Sequence, residues 1–202
     1  MVKRKLVHGR GINDADYVVA KNIDGKQTMC PFYRAWKDML RRCYSDESKN
    51  KNPTYTGCTV SEEWLTFSNF KAWMERQDWE GKFLDKDILV DGNKEYSKET
   101  CIFVDRLINN FFTCCKVNNG QLPIGVFEDG RMYKASISFR GKIKHIGNFK
   151  TVTEAFDAWV AHKKFYAKEL GEMNPNIATN IERKLENLIN AERTRLEEAS
   201  VY

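Results

Sequence analysis

The stretch from Gly125 to Lys150 leaves the chain few ways to fold. Gly125-Val126-Phe127, Met132 to Arg140 and Lys142 to Lys150 are three runs of strand length, separated by Asp129-Gly130 and Arg140-Gly141, pairs that suit hairpin turns. Along the middle run successive side chains take opposite faces. Tyr133, Ala135, Ile137 and Phe139 point one way, and Lys134, Ser136, Ser138 and Arg140 the other. Only the first set needs cover. Ala155, Phe156, Trp159, Val160 and Phe165 recur downstream at helical spacing and supply it, with Thr153 as the expected N-cap. The pattern predicts a three-stranded antiparallel sheet under one helix over residues 123–171.

The uncovered face governs what such a module binds. Between residues 123 and 170 stand nine Lys and Arg against five Asp and Glu, a surplus of four, within a chain of 202 residues whose net charge is +5. Cations engage phosphates, while Arg and Ser hydrogen-bond base edges, so this face suits a DNA groove. An antiparallel sheet with an ordinary solvated face is the commoner use of the same pattern. Alternation and charge leave both open.

Upstream, the sequence reads as a second unit. Residues 1–29 form a basic arm (Lys3, Arg4, Lys5, Arg10) and a hairpin-like lead-in around Asp24-Gly25. Pro31 opens a helix whose buried stripe is Phe32, Ala35, Trp36, Met39, Leu40 and Cys43, with Arg34, Lys37, Arg41 and Arg42 on the other face. That basic face fits either phosphate contact or plain solvation. A loop from Ser45 to Gly57 and a short strand Cys58-Thr59-Val60 lead into a helix capped by Ser61, with Trp64, Leu65, Phe67, Phe70, Trp73 and Met74 buried. An aromatic stripe at this spacing is core rather than a base-stacking platform. Strands at Phe83 to Leu89 and Cys101 to Val104 flank a turn at Asp91-Gly92-Asn93, and a helix runs from Asp105 to about Phe112. Asn118-Asn119-Gly120 then marks a boundary. After Pro175 a charged helix (176–199) carries Ile181, Leu185, Leu188 and Ile189 on one side, suited to packing on the body or pairing with a copy of itself as a homodimer. The expected fold class is α+β.

Six cysteines, Cys30, Cys43, Cys58, Cys101, Cys114 and Cys115, include no Cys-x-x-Cys pair, and the histidines are only His8, His145 and His162. A zinc site would need widely scattered thiolates, so buried free thiols are expected. The start of the chain has no apolar signal core, and no run approaches the roughly 20 apolar residues of a membrane span. The expected setting is the reducing cytosol, with no membrane partner.

The run Ile124-Gly125-Val126-Phe127, Tyr133-Lys134-Ala135-Ser136-Ile137, His145-Ile146-Gly147-Asn148-Phe149 and Thr153-Glu154-Ala155-Phe156-Asp157-Ala158-Trp159 resembles the DNA-binding domain of plant ethylene-response factors, the APETALA-two type, which also occurs in phage-encoded proteins. The resemblance implies a sheet lying in the major groove of double-stranded DNA. By position it implies contacts from Phe127, Arg131, Lys134, Ser136, Ser138, Arg140 and His145, with Lys142 beside them. Where plant members carry Arg and Trp, Ser136, Ser138 and His145 stand here, which implies affinity resting on phosphates more than on base edges.

Residues 30–112 resemble phage HNH-type (His-Me finger) nucleases, on Trp36-Lys37-Asp38-Met39-Leu40-Arg41-Arg42-Cys43-Tyr44, Glu63-Trp64, Phe67-Ser68-Asn69-Phe70, Leu84-Asp85-Lys86, Tyr96-Ser97 and Cys101. The resemblance implies a strand, turn and helix unit holding one divalent ion, with a His beside the metal-binding acid as general base. Asp85 matches the acid, but Lys86 occupies the place of the His, and a lysine of ordinary pKa near 10.4 is protonated at neutral pH. Thr100 matches the middle Asn, and Asn109 or Asn110 the last His. One expectation is thus a double-stranded-DNA-binding protein, working in an infected bacterium, on a nuclease scaffold that has lost its base. A second is a Mg²⁺-dependent endonuclease using Asp85 and Asn109. A third is a protein-interaction role, for instance inhibiting a host enzyme through the C-terminal helix.

Overall fold

The computed structural model describes residues 5–113 and 122–199. The fold is α+β, and the chain divides into two compact units, Met1–Val104 and Asp105–Tyr202.

The first unit opens with a ribbon, β1 (Ala20–Ile23) antiparallel to β2 (Lys26–Met29). Asp24 and Gly25 both take positive φ, +50° and +74°, the two-residue turn expected of that pair. Helix α1 (Pro31–Tyr44) follows, with Pro31 in its first turn and Trp36, Met39, Leu40 and Cys43 buried, as the periodicity predicts. The Ser45–Gly57 segment is not all loop. Ser45 Oγ accepts from the Ser48 N–H and starts a second helix, α2 (Asp46–Lys51), whose first turn carries Asp46 and Glu47.

Thr59–Val60 (β3) pairs in parallel with Glu95–Tyr96 (β5), a partnership that neither short run signals. Ser61 caps nothing with its side chain; a 3-10 turn at Glu62–Leu65 intervenes before helix α3 (Phe67–Met74). The aromatic stripe is core, as expected. The Trp36 indole N–H donates to the Trp64 carbonyl (2.7 Å), and Trp64 meets Phe70 edge to face at 5.0 Å. Gly11 permits the N-terminal segment to lie against this core, because a Cβ there would collide with Leu40 and Trp36. Strand β4 (Phe83–Asp85) pairs antiparallel with β6 (Ile102–Val104). The expected continuation to Leu89 stops at Asp85, whose carboxylate turns the backbone.

In the second unit, helix α4 (Arg106–Thr113) packs with the sheet and long helix rather than ending the preceding domain. Phe111 meets the Phe139 ring at 6.3 Å, and Lys163, only 2% exposed, donates from Nζ to the Phe111 carbonyl (2.6 Å) with its ammonium 3.5 Å from the Phe111 ring centroid. The compact units therefore part at Val104, ahead of the boundary expected near residue 120. Asn118, Asn119, Gly120, Cys114 and Cys115 lie outside the described residues.

Strands β7 (Val126–Asp129), β8 (Met132–Phe139) and β9 (Lys142–Phe149) form the expected antiparallel sheet in the order β7-β8-β9. Helix α5 (Val152–Met173) covers one face with Ala155, Phe156, Trp159 and Val160, but Phe165 is 66% exposed and leaves the expected set. The cap is Thr151, not Thr153. The Glu154 N–H donates to Thr151 Oγ1, and Glu154 Oε2 accepts from the Thr151 N–H, each at 3.2 Å. Gly125 sits at φ +81° directly under Trp159, where a Cβ would overlap the indole. Helix α6 (Ala178–Ala199) lays Ile181, Leu185 and Ile189 into the chain's own interior alongside α5. The stripe expected to serve a homodimer is occupied within the chain.

Candidate nucleic-acid interface

Register decides which side chains share the uncovered face of the sheet, because directly paired residues of an antiparallel ladder point the same way. Phe127 pairs with Lys134 and Lys134 with Asn148; Ser136 pairs with His145 and Ser138 with Ile143. Ala135 and Ile137, on the opposite side, are buried. The open face thus combines Phe127, Lys134, Ser136, Ser138, Ile143, His145 and Asn148. Lys134 Nζ lies 5.9 Å from the Phe127 ring centroid, close enough for the ring to steady the cation. Arg131 is exposed in the adjoining turn, where Gly130 takes φ +64°.

A one-residue bulge changes the expected membership. Pairing shifts from Ala135–Gly147 to Ser136–His145, so Ile146 has no partner in the ladder. The shift exchanges the two faces of β9 from His145 back to Lys142. Ile143 and His145 face outward, whereas Lys142 stands opposite Phe139 and Lys144 opposite Ile137, on the helix side. Lys144 Nζ lies 3.3 Å from His162 Nε2. Ile143 is 81% exposed, an apolar side chain placed where sequence alternation puts a lysine.

Arg140 also leaves the expected face. Arg140 and Gly141 take φ +52° and +73° in the β8–β9 turn, and the guanidinium reaches Glu169 Oε1 (2.5 Å) and Met173 Sδ (3.5 Å) on α5. Lys163, part of the basic surplus in the sequence, is buried and contributes nothing to the surface. Of the eight expected contact residues, Phe127, Lys134, Ser136, Ser138 and His145 share the face, Arg131 borders it, and Arg140 and Lys142 do not. Ile143 and Asn148 are the additions. The bulge has no signal of its own in the sequence, so alternation does not place Ile143 here, whereas Asn148 stands beyond the bulge, opposite Lys134.

The positions matched to a nuclease centre carry structural duties. Asp85 Oδ1 accepts from the N–H groups of Asp87 and Ile88, each at 2.7 Å, and so ends β4. Lys86 is buried, its Nζ donating to Asp87 Oδ1 (2.5 Å) and to the Asn93 carbonyl (2.6 Å), while Asn93 Nδ2 donates back to the Lys86 carbonyl (3.0 Å). An ammonium spent on a carboxylate and a carbonyl braces the turn between β4 and β5. The Thr100 hydroxyl donates to the Glu95 carbonyl (2.7 Å) and accepts from the Ser97 N–H (3.2 Å). Asn109 belongs to the second unit, and its carbonyl accepts from the Thr113 hydroxyl (2.7 Å). Among the described residues, no three His, Cys, Asp or Glu side chains gather as a metal-binding group.

Arg42 leaves the solvated face of α1. It is half-buried, donates to the Leu84 carbonyl (3.4 Å) and lies 5.8 Å over the Tyr55 ring. Cys43, Cys58 and Cys101 are free and buried, and burial pushes the Cys43 and Cys101 thiols up to about 12. Such thiols are inert near neutrality. No helix among the described residues is long and apolar enough to cross a membrane. Compared with models of protein families, with curated proteins and with solved structures, the chain finds no match.

Proposed function

We propose that this protein binds double-stranded DNA through the open face of the β7–β9 sheet and does no chemistry on it. The observation that carries the reading is the make-up of that face. A lysine steadied over an aromatic ring, two serines, a histidine, an asparagine and an 81% exposed isoleucine stand on one side of a sheet whose other side is sealed by α5. Lys134 and Arg131 suit phosphates, and Ser136, Ser138, His145 and Asn148 suit base edges. Ile143 suits a thymine methyl. Two serines, an asparagine and an isoleucine around one lysine favour modest sequence preference.

A second reading, a Mg²⁺-dependent endonuclease, draws on element order. An antiparallel strand pair (β4, β6) followed by a helix (α4) is the order that the nuclease resemblance implies. The duties of Asp85, Lys86 and Thr100 weigh against it. Inhibition of a host enzyme through α6 would have to use that helix's polar side, since its apolar stripe is buried.

Anisotropy titration of a labelled duplex with the full chain tests the proposal. Ile143→Asp places a carboxylate on the face and should weaken binding by about tenfold or more, with a nearly unchanged melting temperature because the side chain is 81% exposed. Equal affinity for the variant and the parent chain would remove the sheet from the interface.

A further inference from the structure

Most of the β1–β2 ribbon stands clear of the other described residues. Residues 21–28 are exposed without exception, and Ile23, an apolar residue beside the turn, is 52% exposed. A two-stranded ribbon with no buried face is marginal in water by itself. Here the body grips only its base, where the Cys30 N–H donates to the Val19 carbonyl (2.8 Å) and the Cys30 carbonyl accepts from the Arg34 N–H (2.9 Å) in the first turn of α1.

The register sorts the ribbon's side chains into two faces. Asn22 stands opposite Gln27, between the flanking pair Ala20 and Met29. Lys21 stands opposite Thr28 and Ile23 opposite Lys26 on the other face. The side chains of Lys21, Asn22, Lys26 and Gln27 have no hydrogen-bond or ion-pair partner among the described residues. Between Ala20 and Met29 the charges are Lys21 and Lys26 against Asp24. Basic residues continue along α1, where Arg34, Lys37 and Arg41 recur at three- and four-residue spacing, Arg41 also meeting Asp38 at 3.3 Å. Burial, and then the charges of Lys37 and Arg41, hold His8 below its ordinary value.

We propose that the β1–β2 ribbon is a second DNA contact that enters the major groove, with Asn22 and Gln27 offered to base edges, Lys21 and Lys26 to phosphates, and the Arg34–Lys37–Arg41 row to the flanking backbone. This rests on the DNA-binding reading and adds a second element to it. The major groove, about 12 Å wide, admits a two-stranded ribbon, whose strands lie about 5 Å apart. Asn and Gln are the side chains that match adenine in that groove. The excess of lysine selects a polyanion. It also disfavours the rival occupant, a protein strand added to either open edge, since edge lysines oppose strand addition.

The test uses the full chain, a randomised duplex library and two double variants, Lys21→Ala with Lys26→Ala and Asn22→Ala with Gln27→Ala. All four positions are exposed, so both variants should melt with the parent chain. The lysine pair should lower the slope of log affinity against log salt by about two and weaken binding by about tenfold. The amide pair should leave the slope unchanged but lose adenine positions from the selected sequence, and guanine N7 methylation beside those positions should interfere with the parent chain and not with the variant. If the parent chain binds and both variants match it in affinity, slope and selected sequence, the ribbon proposal is overturned while the sheet reading stands. If the parent chain binds nothing from the library, both fall together.

Discussion

At the scale of single residues, two groups of side chains turn on what burial does to them. Gly125 combines φ +81° with a site whose Cβ would sit inside the Trp159 indole, so Gly125→Ala should cost about 3 kcal/mol or more in urea denaturation, strain and overpacking together. Gly130→Ala, at φ +64° in open space, should cost only about 1 kcal/mol. Equal costs would mean that the Trp159 contact is unimportant. Burial raises Cys43 and Cys101 from 9.0 to about 12, so the folded chain retains these protons where the unfolded chain has lost them. Their contribution is complete below about pH 9 and is lost as pH rises toward 12. The urea midpoint should therefore fall across that window, and less steeply in Cys101→Ala; parallel profiles would refute this origin. Residue-level legibility was uneven for physical reasons. The cap fell at Thr151 rather than Thr153, because Glu154 completes a capping box only with a threonine three residues before it. Lys163 read as surface charge, since nothing local announces a partner 52 residues away.

At the scale of elements, the bulge at Ile146 matters most. Turn pairs and alternation were enough to show three strands and a covering helix, but a one-residue shift in β9 exchanges its faces, and only the register shows it. The sheet was therefore legible with five of the seven side chains on its open face, but Ile143 was not. Nothing in the periodicity announces α2, because a run of Lys, Asn and Asp has no apolar stripe; its start lies in the Ser45 cap and in Asp46 and Glu47 at the helix's positive end. These placements separate two variants that charge alone treats alike. Lys134→Ala should weaken duplex binding and reduce the salt slope by about one. Arg140→Ala, which breaks the pair with Glu169, should change affinity little and cost under about 1 kcal/mol of stability. A larger binding loss from Arg140→Ala than from Lys134→Ala would contradict this assignment. Thr151→Ala should lower stability by about 1 kcal/mol without altering affinity, because the cap serves α5 and not the face.

At the scale of the whole molecule, each unit presents its own basic, unpacked element: the β1–β2 ribbon with the α1 row in the first, and the open sheet face in the second. Of the side chains matched to a nuclease centre, Asp85, Lys86 and Thr100 hold turns together. Supercoiled plasmid incubated with the full chain and Mg²⁺ or Mn²⁺ should remain supercoiled, whereas metal-dependent nicking that Asp85→Ala abolishes would establish the endonuclease reading instead. Asp85→Ala should also destabilise the first unit by about 1–3 kcal/mol, since two backbone N–H groups lose their acceptor. Affinity of the full chain for duplex DNA across a salt series tests the central claim most directly. Log affinity should fall linearly with log salt, with a slope between about −3 and −6 for several phosphate contacts. No binding at low salt, or binding indifferent to salt, would contradict it.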